Sequence, residues 1–374
     1  MSSYLLRSTG SVLFVKLAIF VPSLDTGGLS SLANELGTAA TLHGHEVMLV
    51  TLYSSRMKLP PALRVENLSI SSPRHSFFKP LTAILRTLRA YMRLARLRPD
   101  FVICLDPSSA FVCFMCRYLG LKFKLATSCY TPLPLLEKSD RAIIKFLYSH
   151  ADRVVAPSTG SCSEIKVINN KVEPMVIPNP YTSKALTCNW PNPQNSNKNV
   201  IQFLGRLSPE KDARLVLKIA EANKDLYFRI SGDGPEKSFL EAEISTLGLS
   251  NVELTGWLEP ANCLPNSSML VLPSKVESFG IVILEAWLHG LPVLAWSGAN
   301  GPKELITKHG GGDLINEFDD LDEWARKIRE QIRNPLKDSF VSEIFDQYSG
   351  YQLIQEWFKT ENFIMPTPTP TITH

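Results

Sequence analysis

Short apolar runs separated by helical stretches recur in two series along this chain, and that alternation restricts the fold more than any other feature of the sequence. Val12 to Val21 reads as a strand, Gly28 to Leu42 as a helix and Glu46 to Tyr53 as the next strand. That order opens a doubly wound α/β domain. Further strands are expected at Phe101 to Leu105, Phe123 to Thr127 and Arg153 to Ala156, with helices between them. The second series has strands at Val200 to Leu204, Tyr227 to Ser231, Val252 to Thr255, Met269 to Pro273 and Pro292 to Trp296. It reads as a second Rossmann-like unit. The 374 residues are enough for two domains, each with its own core.

The boundary between the two units is placed near residue 180, where Ile177 to Pro180 begins a link and the polar, Pro- and Asn-rich run from Thr187 to Asn199 reads as a loop. After the second series, Leu321 to Asn334 reads as a charged amphipathic helix with Asp319, Asp320 and Asp322 at its start. Tyr348 to Thr360 again has apolar residues at helical spacing. Residues 365–374 alternate Pro and Thr and are expected to form neither ladder nor helix, and residues 1–10 are left unassigned.

Chemistry concentrates between Pro273 and Pro302. Gly280 to His289 is apolar almost all round, which predicts a helix buried on several sides, ended by Gly290 and followed by Pro292. Within it stands Glu285, with no cation at helical spacing. A buried carboxylate needs hydrogen-bond donors from elsewhere in the fold or from a ligand, and two hydroxyls would serve. Glu277 lies in the preceding loop, with Ser278, Phe279 and Gly280 leading into the helix start, where unpaired N–H groups and the dipole favour an anion such as a pyrophosphate. The competing reading makes Glu285 a structural residue bonded to backbone and Glu277 a solvated loop charge.

The run Glu277 to Glu285, with Phe279-Gly280 inside it and Gly290 to Val293 after it, resembles the signature of the retaining glycosyltransferases of family four, which have the GT-B fold. Phe203 to Lys211 (FLGRLSPEK), Ser231 to Pro235 (SGDGP), Leu254 to Trp257 (LTGW) and Ile177 to Pro180 (IPNP) resemble the family's other markers, in its order and at its spacings. The resemblance implies two Rossmann-like domains facing across a cleft. Residues 1–180 form the acceptor-side domain, 181–345 the nucleotide-sugar domain, 346–364 a helix crossing back onto the first domain, and 365–374 a disordered tail.

It implies further that Arg206 and Lys211 bind the donor diphosphate, that Glu277 approaches the donor sugar, and that Glu285 accepts from the ribose hydroxyls. Gly27, Gly28, Gly205, Gly234 and the backbone of Ser278, Phe279, Gly280 and Ile281 complete the donor site. The reaction implied is transfer of a sugar from a nucleotide diphosphate sugar, UDP foremost, to a glycan or lipid-linked acceptor with retention at the anomeric carbon. Stabilising the charge that grows on the departing diphosphate is the cations' task. Many relatives carry a His after the strand equivalent to Phe123 to Thr127; Cys129 stands there, with Tyr130 beside it, so the sugar contact is expected from Cys129, Tyr130 or Ser128. An epimerase or hydrolase of the same architecture, or a non-catalytic partner subunit, is the alternative.

The remaining features narrow the setting. A net charge of +3 gives no global attraction to nucleic acid, so none is expected as a partner. Seven scattered cysteines suggest no disulfide framework and point to a reducing cytoplasm. Cys113 and Cys116 sit in an apolar run and read as core. No metal site or cofactor is expected, since no His or Cys cluster has zinc spacing and Pro235 breaks the dinucleotide pattern after Gly232 and Gly234. Ser11 to Val21 is interrupted by Lys16, too short to span a bilayer, and not expected to be a signal peptide.

Between Asn67 and Pro99 there is no acid, but there are Arg74, Lys79, Arg86, Arg89, Arg93, Arg96 and Arg98. Leu81, Ile84, Leu85, Leu88, Tyr91, Met92 and Ala95 recur at helical spacing. The apolar stripe is expected to cover the sheet, leaving Arg86, Arg89, Arg93 and Arg96 to meet an anionic membrane surface peripherally, with Phe77 and Phe78 adding a shallow apolar contact.

Overall fold

The structure is a computed structural model and describes residues 15–24, 28–53, 63–68, 79–181 and 199–358. Gly27, Arg74, Phe77, Phe78, the first ten residues, most of the Thr187 to Asn199 run and the 365–374 tail lie outside the described residues.

The first sheet contains β1 (Lys16–Val21), β2 (Glu46–Thr51), β3 (Arg64–Asn67), β4 (Phe101–Cys104), β5 (Lys124–Ser128), β6 (Arg153–Ala156) and β7 (Met175–Val176). Its order is β3-β2-β1-β4-β5-β6-β7, and every pair is parallel. Helices α1 (Gly28–Leu42), α2 (Lys79–Leu97), α3 (Pro107–Tyr118), α4 (Lys138–Leu147) and α5 (Thr159–Ile168) cover its two faces. The strands read as unbroken apolar runs because a parallel sheet is buried on both sides; β1 is one example, with Leu17 to Val21 all buried.

The second sheet has β8 (Val200–Leu204), β9 (Tyr227–Ser231), β10 (Val252–Gly256), β11 (Met269–Leu272), β12 (Val293–Trp296) and β13 (Gly312–Ile315). Its order is β10-β9-β8-β11-β12-β13, again wholly parallel. Around it lie α6 (Ala213–Ala222), α7 (Lys237–Thr246), α8 (Pro260–Cys263), α9 (Ile281–Leu288), α10 (Asn300–His309), α11 (Leu321–Gln331), α12 (Asp338–Tyr348) and α13 (Gly350–Phe358). Strand order reverses between β8 and β11. Chains leaving the carboxyl ends of those two strands diverge and open a crevice, the usual ligand position in such sheets. The loop with Arg206 and Lys211 follows β8, and the loop with Glu277 follows β11.

The fold class matches the sequence reading, with three corrections. Strands β3, β7 and β13 are short edge strands that the apolar pattern did not mark. The stretch from Tyr348 onward is not one helix: Ser349 is extended (φ −62°, ψ 132°), so α12 stops at Tyr348 and α13 starts afresh. Helix α2 turns the other way round. Its buried side is Arg86, Thr87, Ala90 and Leu94, while Ile84, Leu85, Leu88 and Met92 face outward. Arg86, only 9% exposed, lies over the Tyr53 ring at 4.7 Å, so it is no surface charge. Small residues at the contact explain the choice, since Thr87 and Ala90 let α2 approach α3, with Cys116 Sγ 3.8 Å from the Thr87 carbonyl.

Helix α13 belongs to the first domain's core. Ile354, Trp357 and Phe358 are fully buried among Leu17, Ile19, Leu36 and Phe101, and Arg153 donates to the Glu356 carbonyl. Where the chain leaves the first domain and where it returns, the two crossings bond to each other, Tyr181 N–H to the Tyr348 carbonyl at 2.8 Å.

His45 seals the α13 contact, its ring 5.3 Å from that of Phe358 and both ring nitrogens unpartnered. Burial, aided by His43, lowers its pKa from 6.5 to about 4. A base with a depressed folded pKa costs stability as pH falls below its unfolded value. Stability should therefore decline by about 3 kcal/mol at most between pH 6.5 and 4 on this residue's account. Urea unfolding at pH 7 and pH 4.5 is expected to show a smaller pH difference in His45→Phe than in the parent.

Candidate functional site

The β8 and β11 loops are laced together at the crevice. Asp212, at the start of α6, takes a left-handed conformation (φ 48°) and pairs with Lys275 at 2.7 Å, while Lys275 N–H donates to the Glu210 carbonyl at 2.8 Å. Lys211 Nζ and Glu277 Oε2 form an ion pair, with side chains 22% and 17% exposed. Arg206 projects from the same loop as Lys211, is exposed, and has no ion-pair partner among the described residues. The base of the β8 loop rests on the β9 loop. Gly205 N–H donates to the Ser231 carbonyl at 3.1 Å and Leu207 N–H to the Asp233 carbonyl at 2.9 Å. A Cβ on Gly234 would lie 2.3 Å from the Leu207 carbonyl oxygen, so only glycine permits this stacking.

Past Glu277 the chain reaches Gly280 in a left-handed conformation (φ 89°) and enters α9. No side chain caps this helix, so its first N–H groups stay available at the crevice. Glu285 is 6% exposed inside it, and the only position of the helix that is not buried is Ile281. One turn on, His289 Nδ1 bonds the Glu285 carbonyl at 2.7 Å, and burial lowers the imidazole pKa. The Cys263 thiol is pushed up to about 11, first by burial and then by the charge of Glu285.

The first domain closes the opposite side. Gly28 opens α1 and is exposed, with nothing within 4 Å of where a Cβ would stand. Beyond β5 the two neighbouring side chains part. Cys129 is buried in the α3–α4 core, its Sγ 3.4 Å from the Thr131 carbonyl and its thiol pushed up to about 12 by burial. Tyr130 packs instead with Leu29 on the α1 side, its hydroxyl buried. Ser128 Oγ donates to the Cys104 carbonyl at 2.9 Å. The structure thus brings Lys211 and Glu277 together between the β8 and β11 loops, with Arg206 on the β8 loop and Ser278, Phe279, Gly280 and Glu285 in the segment that follows Glu277, while turning the Cys129 thiol into a core.

Two groups that the sequence reading passed over stand at the same edge. Asp106, after β4, caps α3 through Oδ2 and the Ser109 N–H at 3.1 Å, while its Oδ1 is buried without a partner. Burial raises its pKa to about 6 against the opposing bonds from Ser109. Asp-Pro after a strand is a helix-start signal that marks the residue but not its burial. Ser158 caps α5, accepting from Ser161 N–H at 3.2 Å, and reaches across to the second domain. Among the described residues no group of three or more His, Cys, Asp or Glu side chains is placed to hold a metal ion.

Comparison with known proteins agrees with this fold. Residues 189–344 match the model of glycosyl transferases group 1, and residues 26–182 match the model of glycosyltransferase family 4. Sulfoquinovosyl transferase SQD2 of Arabidopsis thaliana is 25% identical over 316 residues, 78% of this chain and 61% of that protein. A poly(ribitol-phosphate) alpha-N-acetylglucosaminyltransferase of Staphylococcus aureus is 28% identical over 176 residues, 44% of this chain and 36% of that protein. The matches therefore span less than two thirds of these relatives' lengths. Among solved structures, Anabaena HepE in complex with UDP and glucose superposes with a TM-score of 0.73 at 17% identity, covering 92% of this chain and 98% of that one. Sucrose-phosphate synthase from Thermosynechococcus elongatus gives a TM-score of 0.76 at 15% identity, covering 92% and 97%. These two likenesses are of fold.

Gly301 tests how tightly the β11 loop is seated. Its N–H donates to the Glu277 carbonyl at 3.0 Å, and an added Cβ would lie 2.5 Å from the Phe279 backbone. Gly301→Ala is expected to destabilise the protein by about 1–3 kcal/mol through forced backbone movement. Gly28→Ala, which meets open space and improves helix propensity, should be neutral or slightly stabilising. Chemical unfolding of both variants distinguishes a seated loop from a loose one.

Proposed function

The chain belongs to the group 1 glycosyltransferases, with the GT-B fold, and from that premise we propose that it transfers a sugar from a UDP-sugar to a glycan or lipid-linked acceptor with retention at the anomeric carbon. The observation behind this reading is the Lys211–Glu277 ion pair between the β8 and β11 loops, with Arg206 on the same loop as Lys211 and the buried Glu285 in the helix that follows the Glu277 loop. The diphosphate lies against the open start of α9, whose N–H groups face a partial positive charge's natural partner. Arg206 offers a forked donor and Lys211 a compact cation. Lys211 exchanges part of its attraction to Glu277 for the diphosphate, which frees Glu277 for the sugar hydroxyls.

Glu285 accepts from the two ribose hydroxyls. As the bond from the anomeric carbon to the leaving phosphate oxygen lengthens, negative charge grows on that oxygen. Arg206, Lys211 and the helix start stabilise it without rearranging. The acceptor hydroxyl attacks from the same face, and its proton passes to the departing phosphate oxygen. A UDP donor is supported by the UDP complexes among the fold's solved neighbours.

We also place the acceptor at an anionic membrane surface. Among the described residues no helix is long and apolar enough to cross a membrane. Helix α2 instead turns Ile84 (57% exposed), Leu88 (50%) and Met92 (60%) outward in one row, with exposed Arg89, Arg93 and Arg96 alongside. An apolar ridge bordered by arginines matches an interfacial helix lying in a headgroup layer. Arg93 also pairs with Glu66 at 3.3 Å, which moderates its charge.

Four outcomes test the reading. In a thermal-shift screen of UDP-, GDP- and ADP-sugars, a UDP-sugar should raise the melting temperature most, since a ligand that binds only the native state stabilises it. Arg206→Ala should lower turnover by about two to three orders of magnitude, and Glu285→Gln should weaken donor binding with the fold intact. In liposome flotation, binding should require anionic lipid and be lost in an Ile84→Asp, Leu88→Asp, Met92→Asp variant that retains its melting temperature. Equal binding of all nucleotides, or of both liposome variants, contradicts the respective part.

A further inference from the structure

The loop that presents Glu277 is fastened to the opposite domain. Ser158 Oγ, in the first domain, donates to the Ser278 carbonyl at 2.8 Å, and Ser161 Oγ stands 3.5 Å from the same oxygen. Ser278 Oγ returns the contact, donating to the Tyr130 carbonyl at 2.8 Å. Ser158 and Ser161 are almost wholly buried, so water does not compete for these bonds. The Ser158 hydroxyl is fully used, because its oxygen also accepts the Ser161 N–H.

A second band runs alongside. Glu304 on α10 accepts from Thr159 N–H at 2.8 Å and from its hydroxyl at 2.6 Å. Gly160 faces Asn300 so closely that an added Cβ would lie 2.6 Å from the Asn300 Cβ. The same α10 start holds the Glu277 carbonyl through Gly301 N–H. Phe279, next in the loop, packs against Tyr348, with ring centroids 6.1 Å apart, at the point where the chain crosses back. The two residues that follow Glu277 are therefore positioned by the first domain and by the crossing.

We propose that Ser158 is a positioning residue: through the Ser278 carbonyl, and with the Ser278–Tyr130 bond, it sets the Glu277 loop in register with the first domain, so that the donor sugar is aligned with the acceptor only while the domains are clasped. The inference rests on the glycosyl-transfer reading of the crevice. Arg206, Lys211 and Glu285 belong to the second domain and the start of α9 is held by packing within that domain, so nucleotide binding does not rest on the clasp alone. Sugar alignment does. A displacement of the order of 1 Å at a reacting centre lowers turnover by about a hundredfold.

The test compares Ser158→Ala, Ser158→Thr and Ser278→Ala in the full chain. Loop protection is read by hydrogen exchange of residues 277–281 without any ligand, UDP affinity by calorimetry, and transfer by steady-state kinetics. Ser158→Ala should lose protection in the loop and about tenfold to a hundredfold in kcat, with UDP affinity within about twofold of the parent. Ser158→Thr, which keeps the hydroxyl, should restore both. Ser278→Ala removes the other arm without touching the α5 cap, which separates clasping from loss of helix stability. Unchanged loop protection in both alanine variants overturns the proposal, as does loss of protection with unchanged kcat, or a fall in UDP affinity that accounts for the whole loss. If the parent binds no UDP and transfers no sugar, the glycosyl-transfer reading fails, and the proposal built on it fails with it; hydrogen exchange then reports only whether the clasp exists.

Discussion

Helix α9 has no solvent face, and the second-domain site depends on that constraint. It lies against β11, β12 and α12, with Val282 to Leu288 all buried. A helix buried on all sides cannot roll to relieve a misplaced group, so its start and its single carboxylate are fixed by packing. The left-handed Gly280 turns the chain from the Glu277 loop into that helix, whose start no side chain caps. The Glu285 carboxylate is held where water is scarce. Rigidity here is a by-product of core formation.

The cations and anions around the crevice are arranged in pairs rather than as a basic cluster. Lys211 with Glu277, and Lys275 with Asp212, hold two loops from different strands at a fixed spacing. Such half-buried pairs add little net stability, but removing one member leaves a charge without compensation. Arg206 stands outside this pairing and is exposed.

Much of this was legible in the sequence because the chemistry and the local structure coincide there. Glu285 stood out as a charge in an apolar helix, and Gly280, Gly290 and Pro292 bounded that helix by backbone rules alone. Tertiary choices were less legible. The α2 pattern contains two plausible inner faces, and the structure buries the one with Thr87 and Ala90, because close approach of helices rewards small side chains more than apolar bulk. Arg86 could be buried there only because Tyr53, far away in sequence, supplies an aromatic face. Edge strands such as β13, with half-buried Gly312 to Leu314, lack the continuous apolar run of the central strands. Ser158 was passed over altogether, since its partner carbonyl belongs to Ser278 in the other domain.

The return of α13 has a consequence for how the protein is made. Its Ile354, Trp357 and Phe358 fill the same apolar layer as residues of β1, α1 and β4. On the ribosome, the first sheet emerges with that layer open and must wait while the whole second domain is synthesised. During that interval its apolar surface is available to other chains, and folding of an amino-terminal half ahead of the rest is incomplete by construction. Topological closure by the last helix thus makes the first domain the later of the two to reach its native core.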